Sequence, residues 1–152
     1  MITTITLNGR KVSADVDADM TLYQFVREHG CYSVKCGCET TNCGLCTVIF
    51  NGKPMLSCSI LALRANGAKV ETLEGIEKEA WEFTQFILKE GADQCGFCNP
   101  GFIMNAVCMF REYENPTDEE IFEYMSGNLC RCTGYEGQTR AIKKFLESRK
   151  AV

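Results

Sequence analysis

Eleven cysteines stand in 152 residues against a single histidine, so the chemistry this chain can carry is thiolate chemistry. They fall into two groups. Cys31, Cys36, Cys38, Cys43, Cys46 and Cys58 lie in the first half, Cys95, Cys98, Cys108, Cys130 and Cys132 in the second, and residues 59–94 hold none. The N-terminus MITTITLNGR lacks a charged stretch followed by an apolar one, so a cytoplasmic chain is expected. Thiols stay reduced there, and clustered cysteines in that setting read as metal ligands rather than disulfides. The odd count agrees, because eleven cannot all pair internally. With one histidine, any metal site must be ligated mainly by sulfur.

Cys38-x4-Cys43-x2-Cys46 followed by Cys58 has the plant-type [2Fe–2S] spacing, in which three thiolates come from one tight loop and the fourth from a distant segment. Each iron needs two thiolates at tetrahedral angles, so the loop must curl around the inorganic core. Gly37 and Gly44 are expected to let backbone pass close to sulfur. Cys36 could compete as first ligand, but only Cys38 gives the x4 interval; Cys36 reads as a loop thiol beside the site, and Cys31 as a small plug in the core. A structural zinc site also accepts four cysteines, although zinc ribbons bring them as paired short-spaced knuckles.

The second group sits in different surroundings. GADQCGFCNPG puts Cys95 and Cys98 just before a helix whose first turn accepts Pro100, and GNLCRCTGY puts Cys130 and Cys132 in a loop between the last two helices. Two such loops converge if the helices pack side by side, with helix N-termini offering N–H groups to an anionic cluster. By itself a CxxC with a distant CxC leaves iron–sulfur, zinc and dithiol redox chemistry all open. Cys108, mid-helix among Val107, Met109 and Phe110, reads as a buried core thiol.

The elements that must position these loops change type along the chain. TITLN and KVSADV flank Asn8-Gly9, and TVIF and KPMLSC flank Asn51-Gly52, two hairpin turns. Between them Asp19 or Thr21 can cap a short helix through Glu28, with Leu22, Phe25 and Val26 inward and Gly30 at its end. Further on, Trp81, Phe83, Phe86, Ile87 and Leu88 recur at helical spacing before Gly91, and GFIMNAVCMF is apolar nearly all round, as a central buried helix would be. Thr117 with Glu120 makes a capping box for a helix carrying Ile121, Phe122 and Tyr124. A last helix spans about 137–149, with Ile142, Phe145 and Leu146 on one face. The expected division is residues 1–75 as an α+β domain and 76–152 as a helical one.

Composition narrows the function classes. Hydrophobic residues make 45% and charged ones 24%, which suits a globular chain rather than a disordered one. Sixteen basic against twenty acidic residues give a net charge of −4, with no basic block for phosphates, so nucleic acid is a poor partner. No apolar run is long enough to span a membrane. Nothing pairs a nucleophile with a base; His29 sits at the end of the first helix, and Arg140, Lys143, Lys144, Arg149 and Lys150 suit the C-terminal end of the last one.

KCGCETTNCGLCTV with Cys58, then QCGFCNPG, then GNLCRCTGY, in that order, resembles the small iron–sulfur subunit of the molybdenum hydroxylases, the xanthine dehydrogenase and aldehyde oxidoreductase family. The resemblance covers nearly the whole chain. It implies an N-terminal β-grasp, ferredoxin-like domain with one [2Fe–2S] cluster on Cys38, Cys43, Cys46 and Cys58. A C-terminal four-helix domain would hold a second on Cys95, Cys98, Cys130 and Cys132. It further implies a large partner subunit with molybdopterin, contacted by Gln94 and the Cys132 segment, and a medium partner subunit with FAD. Electrons would run from the molybdenum centre through the second cluster to the first and on to the flavin. A free-standing two-cluster ferredoxin and a zinc-stabilised interaction module are the alternatives. Thr41, Leu45 and Asn99 depart from the usual pattern, and a β-branched Thr41 is expected to avoid positive φ and reshape the loop.

Overall fold

Both Asn-Gly pairs turn as their composition dictates. In the computed structural model, Asn8 and Gly9 take φ of 48° and 79°, and Asn51 and Gly52 take 49° and 84°, the left-handed pair that matches strand twist in a two-residue hairpin. The structure describes residues 1–150; the last two residues of the expected 76–152 unit, Ala151 and Val152, lie outside them. Strands β1 (Ile2–Leu7) and β2 (Arg10–Asp15) pair antiparallel with Leu7 opposite Arg10. Strands β3 (Thr47–Phe50) and β4 (Lys53–Leu56) pair likewise with Phe50 opposite Lys53.

A short strand that the sequence pattern did not suggest joins the two hairpins. β5 (Lys69–Glu71) runs parallel to β1 and antiparallel to β3, giving one mixed sheet in the order β2-β1-β5-β3-β4. Helix α1 (Leu22–Glu28) is opened by Thr21, not Asp19: the Thr21 hydroxyl accepts from Gln24 N–H, and the Gln24 side chain accepts from Thr21 N–H. Its Leu22, Phe25 and Val26 pack with Ile5, Leu7, Val48, Val70 and Cys31 in a first core. Cys31 is therefore the buried plug expected of it. His29 caps the C-terminus, stacked on Phe25 at 4.4 Å with Nδ1 2.7 Å from the Phe25 carbonyl.

Four further helices follow: α2 (Glu77–Lys89), α3 (Asn99–Glu112), α4 (Asp118–Met125) and α5 (Glu136–Lys150). The expected α+β class holds. Every residue of α3 from Gly101 to Phe110 is buried, because α2, α4 and strands β3 and β4 all pack on it while α5 closes on α2. Phe83 meets the rings of Phe102, Phe110 and Phe145 in this second core. Cys108 is buried there, its Sγ 3.4 Å from the Gly52 carbonyl. Two aromatic expectations need correction: Trp81 and Phe122 are exposed, as is Leu88, since the buried stripe of α2 is Ala80, Phe83 and Ile87 and that of α4 is Ile121 alone.

The two halves meet at backbone distance. A Cβ added at Gly101 would stand 2.3 Å from the Gly44 carbonyl oxygen and 3.0 Å from Leu45 Cα. One added at Gly44 would stand 2.4 Å from the Gly127 carbonyl oxygen. Arg111 adds a side-chain clamp, bonding Glu71 on β5 and Glu79 on α2. An exposed pair contributes little alone, so close packing and not charge holds the seam.

Alanine for glycine in a helix ordinarily stabilises by up to about 1 kcal/mol, whereas forcing an atom into backbone costs about 1–3 kcal/mol. Gly101→Ala should therefore lower the melting temperature, by about 2–4 °C per kcal/mol lost in a chain of this size. Gly127→Ala, which meets nothing within 4 Å, should not. Calorimetry of the two variants checks this.

Candidate metal centres

The first loop runs from Cys36 into β3, and β4 returns the chain to the 3-10 turn Ser57–Ser59 that carries Cys58. Ser57 locks that return: its N–H and its hydroxyl both donate to the Cys46 carbonyl, at 3.1 and 2.7 Å. Cys46 and Cys58 Sγ consequently stand 3.2 Å apart. Cys38 and Cys43 form the other pair, within hydrogen-bond reach of each other. Cys36 is exposed, its thiol donating to the Cys38 carbonyl at 3.0 Å, which leaves it beside the loop.

Backbone N–H groups of Asn42, Thr40 and Cys43 converge on the Cys38 sulfur and pull its pKa down to about 6. Producing that curl puts Thr41 at φ 56°, so the expectation that a β-branched residue would avoid this region is overturned. Concerted N–H donation to sulfur outweighs a local cost of about 1–2 kcal/mol. Gly37 does approach sulfur, its notional Cβ 3.5 Å from Cys43 Sγ. Gly44 does not; its bare backbone serves contact with Gly127 and Asn128 instead.

In the second group Cys98 is the residue before α3, with Pro100 in the helix's first turn. Cys132 and Cys95 Sγ stand 3.5 Å apart, and Cys98 and Cys130 form an inner pair. The outer pair is exposed and the inner pair half-buried. Burial, then the neighbouring Cys130, pushes Cys98 up to about 12. For Cys130 burial acts upward but is outweighed by hydrogen bonds, chiefly from Thr133, so its pKa falls. Burial and Cys46 together push Cys58 up to about 12.

Thiolates sharing one tetrahedral ion at a metal–sulfur distance of about 2.3 Å lie about 3.7 Å apart. The sulfurs measured here are close to that and far from bonded. All eight thiols are free, and each site presents them as two close pairs, the donor set of four thiolates that a [2Fe–2S] cluster takes.

The seam brings the sites together. Leu129, next to Cys130, donates its N–H to the Cys43 carbonyl at 2.9 Å. Lys35 reaches the Phe97 carbonyl at 3.4 Å and lies over its ring. Asn105 donates to Asn128 at 2.6 Å, and Asn128 to the Gly44 carbonyl at 3.2 Å. Sequence reasoning missed these asparagines, and also Thr133 and Tyr135, which bond Cys130. The signal was available for one of them: Asn105 is the one amide in the apolar run GFIMNAVCMF. Gln94 is exposed beside Cys95.

Residues 5–71 match the 2Fe-2S iron-sulfur cluster binding domain and residues 72–143 the [2Fe-2S] binding domain. The nicotinate dehydrogenase small FeS subunit of Eubacterium barkeri is 45% identical over 94% of this chain and 93% of its own. This chain belongs to the small iron–sulfur subunits of the xanthine dehydrogenase family. The xanthine dehydrogenase iron-sulfur-binding subunit of Escherichia coli is 42% identical, covering 86% of this chain and 85% of that one. The crystal structure of quinoline 2-oxidoreductase from Pseudomonas putida 86 superposes with a TM-score of 0.89 at 37% identity, over 99% of this chain and 96% of that chain. This chain thus carries two [2Fe–2S]-binding domains in series. Among the described residues no helix is long and apolar enough to cross a membrane.

Two outcomes are expected. In the metal-free chain at pH 7, Cys38 is a thiolate while Cys58 and Cys98 are not, so iodoacetamide should label Cys38 well before them, half-maximally near pH 6; equal rates by mass spectrometry would refute this. Thr41→Gly should stabilise the chain by up to about 1 kcal/mol, the relieved backbone cost exceeding the glycine entropy cost of about 0.5–1 kcal/mol, and denaturant unfolding reads the difference.

Proposed function

We propose that this chain relays electrons within a molybdenum hydroxylase, taking them from molybdopterin on a large partner subunit and passing them towards FAD on a medium partner subunit. Cys95, Cys98, Cys130 and Cys132 hold the cluster that receives them, and Cys38, Cys43, Cys46 and Cys58 the cluster that hands them on. When bound, each cluster supplies one-electron chemistry. The chain's own residues hold the sulfurs in pairs, shield the inner thiols and donate hydrogen bonds that set the potential. Residues 1–75 and 76–152 act as the two units, in a cytoplasmic protein whose thiols stay reduced.

The observation that carries this reading is the direct bond from Leu129 N–H to the Cys43 carbonyl, which ties a residue adjoining one ligand set to a member of the other. Exposure gives the direction. The outer pair Cys95 and Cys132 faces solvent together with Gln94, Phe97, Leu129 and Tyr135. An apolar rim around exposed thiols suits a covering partner, with Gln94 and the Cys132 segment against the pterin. That rim also weighs against a free-standing carrier.

About four iron and four acid-labile sulfide per chain are expected, together with two distinct paramagnetic signals on reduction. Cys43→Ser should abolish one signal and spare the other; zinc without sulfide, or loss of both signals, would sink the two-cluster assignment. Affinity capture should recover molybdenum- and flavin-containing polypeptides, and an iron-replete chain recovered without them would favour the free-standing ferredoxin.

A further inference from the structure

Gln138 is 2% exposed, and its Nε2 has no hydrogen-bond partner. The other end of its amide lies 3.2 Å from the Thr133 hydroxyl, which itself lies 3.1 Å from Cys130 Sγ. Tyr135 N–H donates to the same hydroxyl at 3.2 Å. A hydroxyl has one proton to give. Placed between the Gln138 oxygen and the Cys130 sulfur it must choose, and whichever it refuses is left short.

A half-turn of the carboxamide removes the conflict. Nitrogen and oxygen exchange places, a change that costs no volume and is decided only by the hydrogen bonds each end finds. Nε2 then donates to Thr133, whose oxygen accepts from Gln138 and from Tyr135, one bond per lone pair. Its single proton is committed to Cys130. The amide oxygen takes the site the nitrogen left, and an under-used buried carbonyl oxygen is better tolerated than an orphaned N–H.

We propose that Gln138 is a positioning residue for the second cluster: its amide N–H orients the Thr133 hydroxyl so that the hydroxyl proton is given to the Cys130 sulfur. The proposal rests on Cys130 being a cluster ligand. Hydrogen bonds to ligating sulfur favour the more negative, reduced cluster and raise its potential. Donors in series polarise one another, so the amide strengthens the bond it never touches. Thr133 sets the contact; Gln138 fixes its direction.

The test is a potentiometric titration of the intact complex, followed by the paramagnetic signals of both clusters. Thr133→Val should lower the equilibrium constant for reducing the second cluster about tenfold, or about 59 mV for one electron, with the first cluster unmoved and Thr133→Ser restoring the value. Gln138→Leu should lower it about threefold and add nothing in the Thr133→Val background. If the Gln138 oxygen instead captured the proton, Gln138→Leu would free it for Cys130 and raise the potential. A rise, no change, or a shift that persists without Thr133 overturns the proposal. Cys130→Ser separates the failures: a second signal untouched by that change refutes the ligand assignment itself, and the relay with it.

Discussion

Each site holds pairs of sulfurs about a van der Waals diameter apart in partly buried surroundings, and burial first, with the neighbouring sulfur second, works against ionising them. Within the Cys38/Cys43 and Cys98/Cys130 pairs, one thiol is pushed down and its neighbour up. Without metal, Cys58 and Cys98, both pushed up to about 12, keep their protons at neutral pH. Folding alone therefore builds a cradle with a protonated thiol in each site, and metal binding must displace that proton. The rest of the structure reads as what is needed to hold sulfurs in an arrangement they resist: a hairpin that returns Cys58, Ser57 pinning that return, and a helix start that fixes Cys98.

The close approach of the two loops suits the second demand of the proposed relay, that charge pass between them. Electron transfer favours a short path of bonds, so backbone must meet backbone, and side chains have to be absent where it does. Gly44 and Gly101 supply that absence. The exposed polar groups this creates are not left orphaned: Asn128 covers the Gly44 carbonyl, and Asn105 holds Asn128 from inside the apolar helix. A buried amide pair is costly unless satisfied; Asn105 is satisfied within the second half by Tyr124 and Asn128, while Asn128 Nδ2 finds its partner, the Gly44 carbonyl, only when both halves are docked. The seam is thus specific as well as tight.

Local signals were legible in the sequence and long-range ones were not. The Asn-Gly turns, the Thr117 capping box and the all-round apolar helix each rest on a few neighbouring residues, and each is found where expected. β5 was invisible because three residues, Lys69, Val70 and Glu71, carry no period; they become a strand only because β1 and β3 lie on either side. The cysteine spacing revealed two sites, yet not that Gly44 would face Gly127 instead of sulfur, nor that Thr41 would adopt a left-handed backbone. Those outcomes depend on what the fold brings from more than eighty residues away and on three N–H groups competing for one sulfur. Trp81 and Phe122 misled for the converse reason: a large apolar side chain marks a helix face, but which face is buried depends on the neighbour.

The two sites also differ in a way that assigns them different surroundings in use. In the first, Cys43 and Cys46 are buried and Cys38 and Cys58 half-buried, so folding alone shields all four thiols in part. The second has an inner pair shielded by Thr133 and Tyr135 and an outer pair open to water. Covering the outer pair removes water that favours the more negative reduced state, and so lowers the potential. Hydrogen-bond donation at the inner pair acts in the opposite sense. The Thr133 hydroxyl that donates to Cys130 is half-buried, so in the proposed complex this chain would set part of the second potential and the partner the remainder. A site divided in this way suits the end of the proposed relay that receives electrons across a protein interface, and the first, with none of its four thiols fully exposed, is the one whose surroundings this chain supplies in larger part.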